Sequence, residues 1–228
     1  IFYISKILMA ERDVNQMFEI LSPTNREMRV PENLKHYSIN KLIWPSSKSL
    51  VLAANDNETH KKVAIKCIPI QIFHQNPKEF EIMSLFQDPL FVSGLDAFQY
   101  PETNPRFFAI VMPRATLDLL DYNNFHDYLK EKIVFTIMRN LIEALRILHE
   151  RHVWHRNLKL DDILIKSETS NGPSIAICDF GDAAIIDTPE FEGPGIGTGE
   201  YGAPELFENK FPLFRKAKAR CMFYLQFN

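Results

Sequence analysis

The chain has 228 residues, 46% hydrophobic and 24% charged, with a net charge of −3 at neutral pH. That length supports a sizeable core, and the charge gives no basic excess that would point to nucleic acid or an anionic membrane as a partner. Cys67, Cys178 and Cys221 lie far apart and are odd in number, which argues against a disulfide framework and favours a reducing, cytoplasmic setting. No apolar run reaches the roughly 18 residues of a membrane-spanning helix. The opening stretch IFYISKILMA is interrupted by Lys6 and followed by no small-residue cleavage site, so no signal peptide is expected. The histidines and cysteines show no paired zinc-ligand spacing of the C-x-x-C type.

Residues 1–36 read as an N-terminal extension. Residues 39–54 and 61–70 carry the apolar runs KSLVLAA and KKVAIKCIPI around NDNETHKK, which predicts two strands joined by a turn. In PKEFEIMSLFQ (77–87), Phe80, Met83 and either Leu85 or Phe86 fall at helical spacing behind Pro77. FFAIVM (107–112) reads as a strand closed by Pro113. From Asp127 to Arg151 a long helix is predicted, with Ile133, Ile137, Leu141, Leu145 and Leu148 as its stripe and Val134, Met138 and Ile142 widening it. ILIK and SIAIC follow as short strands around the turn SETSNGP. Strands before residue 112 and helix after it predict two lobes joined near 113–116.

Five motifs fall in one order along the chain: VAIK (63–66), Glu79 on the next helix, HRNLK (155–159), CDFG (178–181) and APE (203–205). In series they resemble the eukaryotic protein kinase domain, and Lys159 with GTGEYGAPE resembles its Ser/Thr branch. The resemblance covers about residues 37–217 and leaves 218–228 as a divergent tail. It implies an α+β, bilobal protein-kinase-like fold: a β-rich N-lobe (37–112), a hinge (113–116) and a mainly helical, incomplete C-lobe (117–217).

The resemblance also implies roles, because phosphoryl transfer is chiefly positioning and charge neutralisation. Lys66 would hold the α/β phosphates of ATP and be oriented by Glu79, preferred to Glu81 for its spacing from Pro89. Asp179 would bind Mg²⁺, and Lys159 joins the catalytic set. Val51 and Ala64 would cover the adenine, Met112 takes the gatekeeper position, and Ala115 offers the hinge N–H that Pro113 lacks. Phe180, His155 and Met83 occupy the positions that stack in the family's internal hydrophobic spine.

Three departures bear on chemistry. The first glycine of the chain is Gly94, so no glycine-rich phosphate loop precedes VAIK. Trp44, Ser46 and Ser49 stand in the three glycine places, and the two serines are expected to offer hydroxyl or amide donors instead. Second, Asn157 stands where the family has its base, and a neutral amide cannot take the substrate proton. Such a loss typically slows transfer about 10²- to 10⁴-fold. Asp162 stands where the family has a metal-binding asparagine, which implies a two-carboxylate metal site with Asp179. Asp161 reads as solvent-facing or structural.

Third, the stretch after APE is expected to be truncated, naturally or through a gene-model error. The family's D-x-W-S-x-G anchor for Arg156 and the arginine partner of Glu205 are missing, so both charges need exposure or substitutes. CMFYLQF could stand in for a missing helix, Thr198 resembles the threonine held against the catalytic loop, and Thr188 is either a phosphosite or an ordinary loop residue.

The functional expectation is a pseudokinase that binds Mg–ATP and acts through protein contacts, with neither nucleic acid nor membrane as a partner. One alternative is a weakly active Ser/Thr kinase in which Asp161 or Asp162 partly replaces the base. Another is a truncated fragment without function.

Overall fold

The structure is a computed structural model that describes residues 33–46, 49–70, 78–100, 106–126, 128–170, 172–186 and 201. Thr188, Thr198, the APE motif with Glu205, and the tail lie outside the described residues. Contacts divide the chain into two units, one running through Phe80 and again over Ser93–Arg114, the other comprising Glu81–Val92 and everything from Ala115 onward.

The first unit is built on a sheet of β1 (Asn33–Leu34), β2 (Tyr37–Pro45), β3 (Leu50–Asp56), β4 (Lys62–Pro69), β5 (Asp96–Tyr100) and β6 (Phe107–Pro113), in the order β1-β2-β3-β4-β6-β5. The apolar stretch 39–54 therefore divides into a β2–β3 hairpin rather than forming a single strand. β1 falls within the stretch read as an N-terminal extension, and its Leu34 is fully buried in the sheet's core.

The two-residue period of a strand assigns the two faces of this sheet. Leu50, Leu52, Ala54, Val63, Ile65, Cys67, Ala109 and Val111 pack into one cluster with Tyr37, Phe98 and Phe107. Burial pushes the Cys67 thiol up, so it acts as a small apolar side chain. The alternate residues lie on the opposite face: Val51 pairs with Lys66, Ala53 with Ala64, and Ala64 with Met112. Nearly every residue of β4 is buried, including Lys66, so both faces are in use.

Helix α1 (Lys78–Ser84) ends in a tighter turn in which Leu85 and Phe86 donate to the carbonyls of Ile82 and Met83. Of the two candidates after Met83, Phe86 is the buried one and Leu85 is exposed. The ring of Phe80 leaves no room for a side chain at residue 94, since a Cβ there would lie 2.5 Å from Phe80 Cε2. Gly94→Ala is expected to cost about 1–3 kcal/mol as the ring is displaced. Urea unfolding checks this, and an unchanged midpoint would mean that the ring moves aside freely.

The second unit contains β7 (Leu117–Asp118), α2 (Leu119–Asn124), α3 (Glu131–Glu150), β8 (Val153–Trp154), β9 (Ile163–Thr169), β10 (Gly172–Ile177) and β11 (Ala184–Ile185). Helix α2 begins at Asp118, whose Oδ1 accepts the Asp121 N–H at 2.8 Å, an N-cap that the sequence pattern did not suggest. Helix α3 buries Ile137, Leu141, Ala144 and Leu148, packs on β10, and starts at Glu131 rather than Asp127. Its buried face is narrower than expected. Ile142 is 62% exposed, because it lies beside Glu143 and Arg146 on the charged side.

The predicted SETSNGP turn is mostly strand. β9 and β10 extend to Thr169 and Gly172, and the hydroxyls of Ser167 and Ser174 meet across the pair at 2.8 Å. Polar residues on an exposed edge imitate turn composition. Among the described residues, no helix is long and apolar enough to cross a membrane.

Candidate active site

In the first unit, strand β4 and helix α1 bring Lys66 and Glu79 together. The Lys66 Nζ donates to both Glu79 carboxylate oxygens at 2.8 Å, with both side chains almost fully buried. Glu81 is exposed, so the spacing argument selected the carboxylate that makes the pair. Ala64 and Met112 are buried beside Lys66 on the same sheet face, with Val51 half-buried.

Ser46 and Ser49 close the β2–β3 hairpin on each other. The Ser46 N–H donates to the Ser49 carbonyl at 2.9 Å, the Ser49 N–H donates to Ser46 Oγ at 2.9 Å, and the Ser46 hydroxyl reaches the Ser49 carbonyl at 3.0 Å. Both amides that the sequence reading offered to phosphate are thus donated within the turn. A glycine loop, with no such side chains, would have left its amides to the ligand.

In the second unit, the catalytic-loop stretch runs from β8 through a 3₁₀ turn at Leu160–Asp162. The His155 ring packs on Phe180 with centroids 5.2 Å apart, and its Nε2 lies 2.9 Å from the Cys178 carbonyl. Phe180 also meets Phe86 and Phe91 at 6.0 and 6.3 Å. Phe91 was missed by motif reading. It enters through a bridge to Ile177, just before CDFG, where no helical or strand period marks it.

The Cys178 N–H donates to the Asp162 carbonyl at 2.8 Å, which brings the loop alongside Asp179. Asp162 is 3% exposed, and its Oδ2 accepts the Lys159 N–H at 3.2 Å. Burial first, and then the negative charge of Asp179, push the Asp162 carboxyl well above the usual carboxylate range, against the opposing pull of Lys159. Asp179 is exposed and left-handed, with φ of 60°, a conformation that strains any residue with a Cβ.

Lys159 Nζ pairs with Asp161 at 3.0 Å and lies 3.9 Å from Asp162. Burial would lower its pKa, but Asp162, Asp161 and Asp179 together raise it, so the ammonium is held charged. Asp161 is thereby a structural ion-pair partner. Arg156 donates through Nε to the Asp182 carbonyl at 2.6 Å. Ala115 is half-buried just past the end of β6.

A family model described as "Protein kinase domain" matches residues 37–213. The chain belongs to the protein kinase family. This kinase domain is 33% identical over 155 residues to the "Serine/threonine-protein kinase dkf-2" of Caenorhabditis briggsae, covering 65% of this chain and 13% of that protein. It is 29% identical over 160 residues to the "MAP kinase-interacting serine/threonine-protein kinase 2" of Xenopus laevis, covering 66% and 34%. With the "Probable serine/threonine-protein kinase fhkD" of Dictyostelium discoideum it shares 30% identity over 210 residues, covering 84% and 27%. The kinase domain therefore spans about a third or less of these relatives.

The donor set can be tested for a metal. Among the described residues, no cluster of three or more His, Cys, Asp or Glu side chains could hold an ion by itself. Two carboxylates nonetheless suit Mg²⁺, which keeps several waters and takes further oxygens from phosphates. A cation near Asp162 and Asp179 would also offset the repulsion that now raises the Asp162 carboxyl. The residues fit the group.

Proposed function

We propose that this kinase domain binds Mg–ATP, transfers its phosphate slowly at best, and acts chiefly through contacts with a protein partner in the cytoplasm. The observation that carries the nucleotide reading is the juxtaposition of Asp162 and Asp179. A buried carboxylate near a second one, with the second on strained backbone, works against folding. A bound cation gives the arrangement a use.

Asp179 and Asp162 would hold the Mg²⁺, and Lys66, steadied by Glu79, would bear on the phosphates. Val51, Ala64, Met112 and the Ala115 backbone would take the adenine. The ion's contribution is to neutralise phosphate charge. The turn at Ser46 and Ser49, with its amides already donated, supports weakened phosphate binding. Asn157 supports slow transfer, as an amide is no base. Protein as the partner class follows the family's substrates.

Thermal shift with ATP, with and without Mg²⁺, tests this reading. The wild-type chain is expected to melt higher with Mg–ATP than with ATP alone. Asp179→Asn is expected to lose that Mg²⁺ increment while melting at or above the wild-type temperature without ligand, because it removes a charge that repels Asp162. An identical response to ATP with and without Mg²⁺ in the wild type would refute the metal assignment.

A further inference from the structure

The catalytic-loop asparagine makes one contact that the sequence motifs give no hint of. The Asn157 side-chain amide donates to Asp182 Oδ2 at 2.9 Å. Its neighbour Arg156 donates to the Asp182 backbone carbonyl at 2.6 Å. Two successive loop residues thus hold both the main chain and the side chain of one aspartate.

The local ladder explains the meeting. β8 pairs with β11 through Trp154–Ala184 and Val153–Ile185, and the Ile186 N–H closes the far end on the His152 carbonyl at 2.8 Å. Continuing that antiparallel register by two residues sets Asp182 across from Arg156, next to Asn157. The 3₁₀ turn Phe180–Asp182 delivers the side chain, with the Ala183 N–H returning to the Phe180 carbonyl at 3.0 Å. Asp182 is half-buried. A carboxylate therefore sits one hydrogen bond from the amide that occupies the base position. The other nearby acids have other uses: Asp161 pairs with the Lys159 ammonium at 3.0 Å, and Asp162 and Asp179 are the metal-holding pair proposed above.

We propose that the Asp182 carboxylate, held by Asn157, is the proton acceptor for the phosphoryl transfer that this domain retains. The donor is a nucleoside triphosphate and the acceptor a protein hydroxyl. The hydroxyl oxygen forms a bond to the γ-phosphorus, and the bond from that phosphorus to the β–γ bridging oxygen breaks. The nucleoside diphosphate leaves with the electron pair of the broken bond. The hydroxyl proton passes to the Asp182 carboxylate, which becomes a carboxylic acid and later releases the proton to water. Asn157 is a positioning residue in this scheme. The inference rests on the Mg–ATP reading above.

The full chain is assayed for transfer of radiolabelled γ-phosphate from ATP, with Mg²⁺, to a mixed serine and threonine peptide pool. ATP binding and melting temperature are measured alongside. Slow turnover is expected in the wild type. Asp182→Asn, which can keep an amide-to-amide hydrogen bond to Asn157, is expected to lower kcat about 10²-fold, with the KM for ATP and the melting temperature unchanged. The exchange variant N157D/D182N, which returns a carboxylate to the family's base position, is expected to regain at least wild-type turnover, and a double variant as slow as Asp182→Asn would overturn the proposal. Equal kcat in the wild type and Asp182→Asn would overturn the proposal, as would a wild type that binds ATP and transfers no phosphate. Both of those results leave the nucleotide-binding reading standing. A wild type that binds no ATP removes both.

Discussion

Lys66→Met is expected to lower the stability of this kinase domain by about 3–5 kcal/mol, quite apart from its effect on nucleotide. Lys66 and Glu79 share two hydrogen bonds of 2.8 Å and are almost wholly removed from water. Removing the lysine leaves a carboxylate in the interior without its cation, and breaking such a pair from one side typically costs about that much. Glu79→Leu alone is expected to be similarly damaging, since it strands the ammonium. For a chain of this size the loss corresponds to a fall of about 10 °C in melting temperature. The double replacement Lys66→Met with Glu79→Leu should recover much of it, because well-packed apolar side chains can replace a buried ion pair at little net cost. Thermal melts of the three variants form the cycle. Single replacements that each cost under about 1 kcal/mol would mean that water reaches the pair. In this domain Lys66→Met, taken as an inactive control, would confuse unfolding with loss of activity.

Phe180→Ala is expected to cost about 3–5 kcal/mol, the usual range for emptying a phenylalanine site in a packed interior. The Phe180 ring is 1% exposed and lies among Phe86, Phe91 and His155, with centroids between 5.2 and 6.3 Å away. These neighbours come from two separate stretches of the chain, Phe86 and Phe91 from one and His155 from the other, so no single backbone shift closes the cavity. Phe180→Leu, which keeps much of the volume, should cost clearly less. The midpoints of urea unfolding curves measure both, and equal midpoints for alanine and phenylalanine would show that the ring is not part of the packing. Alanine should also loosen the catalytic loop, because His155 meets both the Phe180 ring and the Cys178 carbonyl.

Much of the fold is legible in the sequence where one period rules. VAIK and FFAIVM alternate between the two faces of the sheet, and Ile137, Leu141 and Leu148 fall on the buried stripe of α3. Glu79 was distinguishable from Glu81 by family spacing, and the buried ion pair is where that spacing pointed. Reading fails where a residue answers to a distant partner. The Asn157–Asp182 contact joins residues 25 positions apart and exists because β8 and β11 align them. The letter that could have signalled it is the acid directly after DFG, but a surface aspartate looks the same in sequence. Ile142 failed for the converse reason. Helical spacing offers more apolar positions than the neighbouring strand can cover. Ser46 and Ser49 show a third limit, since composition marks hydroxyls as available donors and only the closed turn shows where the donors go.

The burial of Lys66 also changes what its presence says about ancestry. A lineage that stopped using nucleotide would still keep Lys66 and Glu79, because selection against unfolding guards the pair whether or not a ligand ever arrives. Asp162 and Asp179 face the opposite pressure, since burial and the nearby Asp179 charge push the Asp162 carboxyl up. Replacing Asp179 by asparagine removes the charge that repels Asp162 and keeps a side chain that tolerates the left-handed backbone, so in an idle descendant mutation would erase it early. Across sister genes, the two acids rather than the lysine are therefore the clock of disuse.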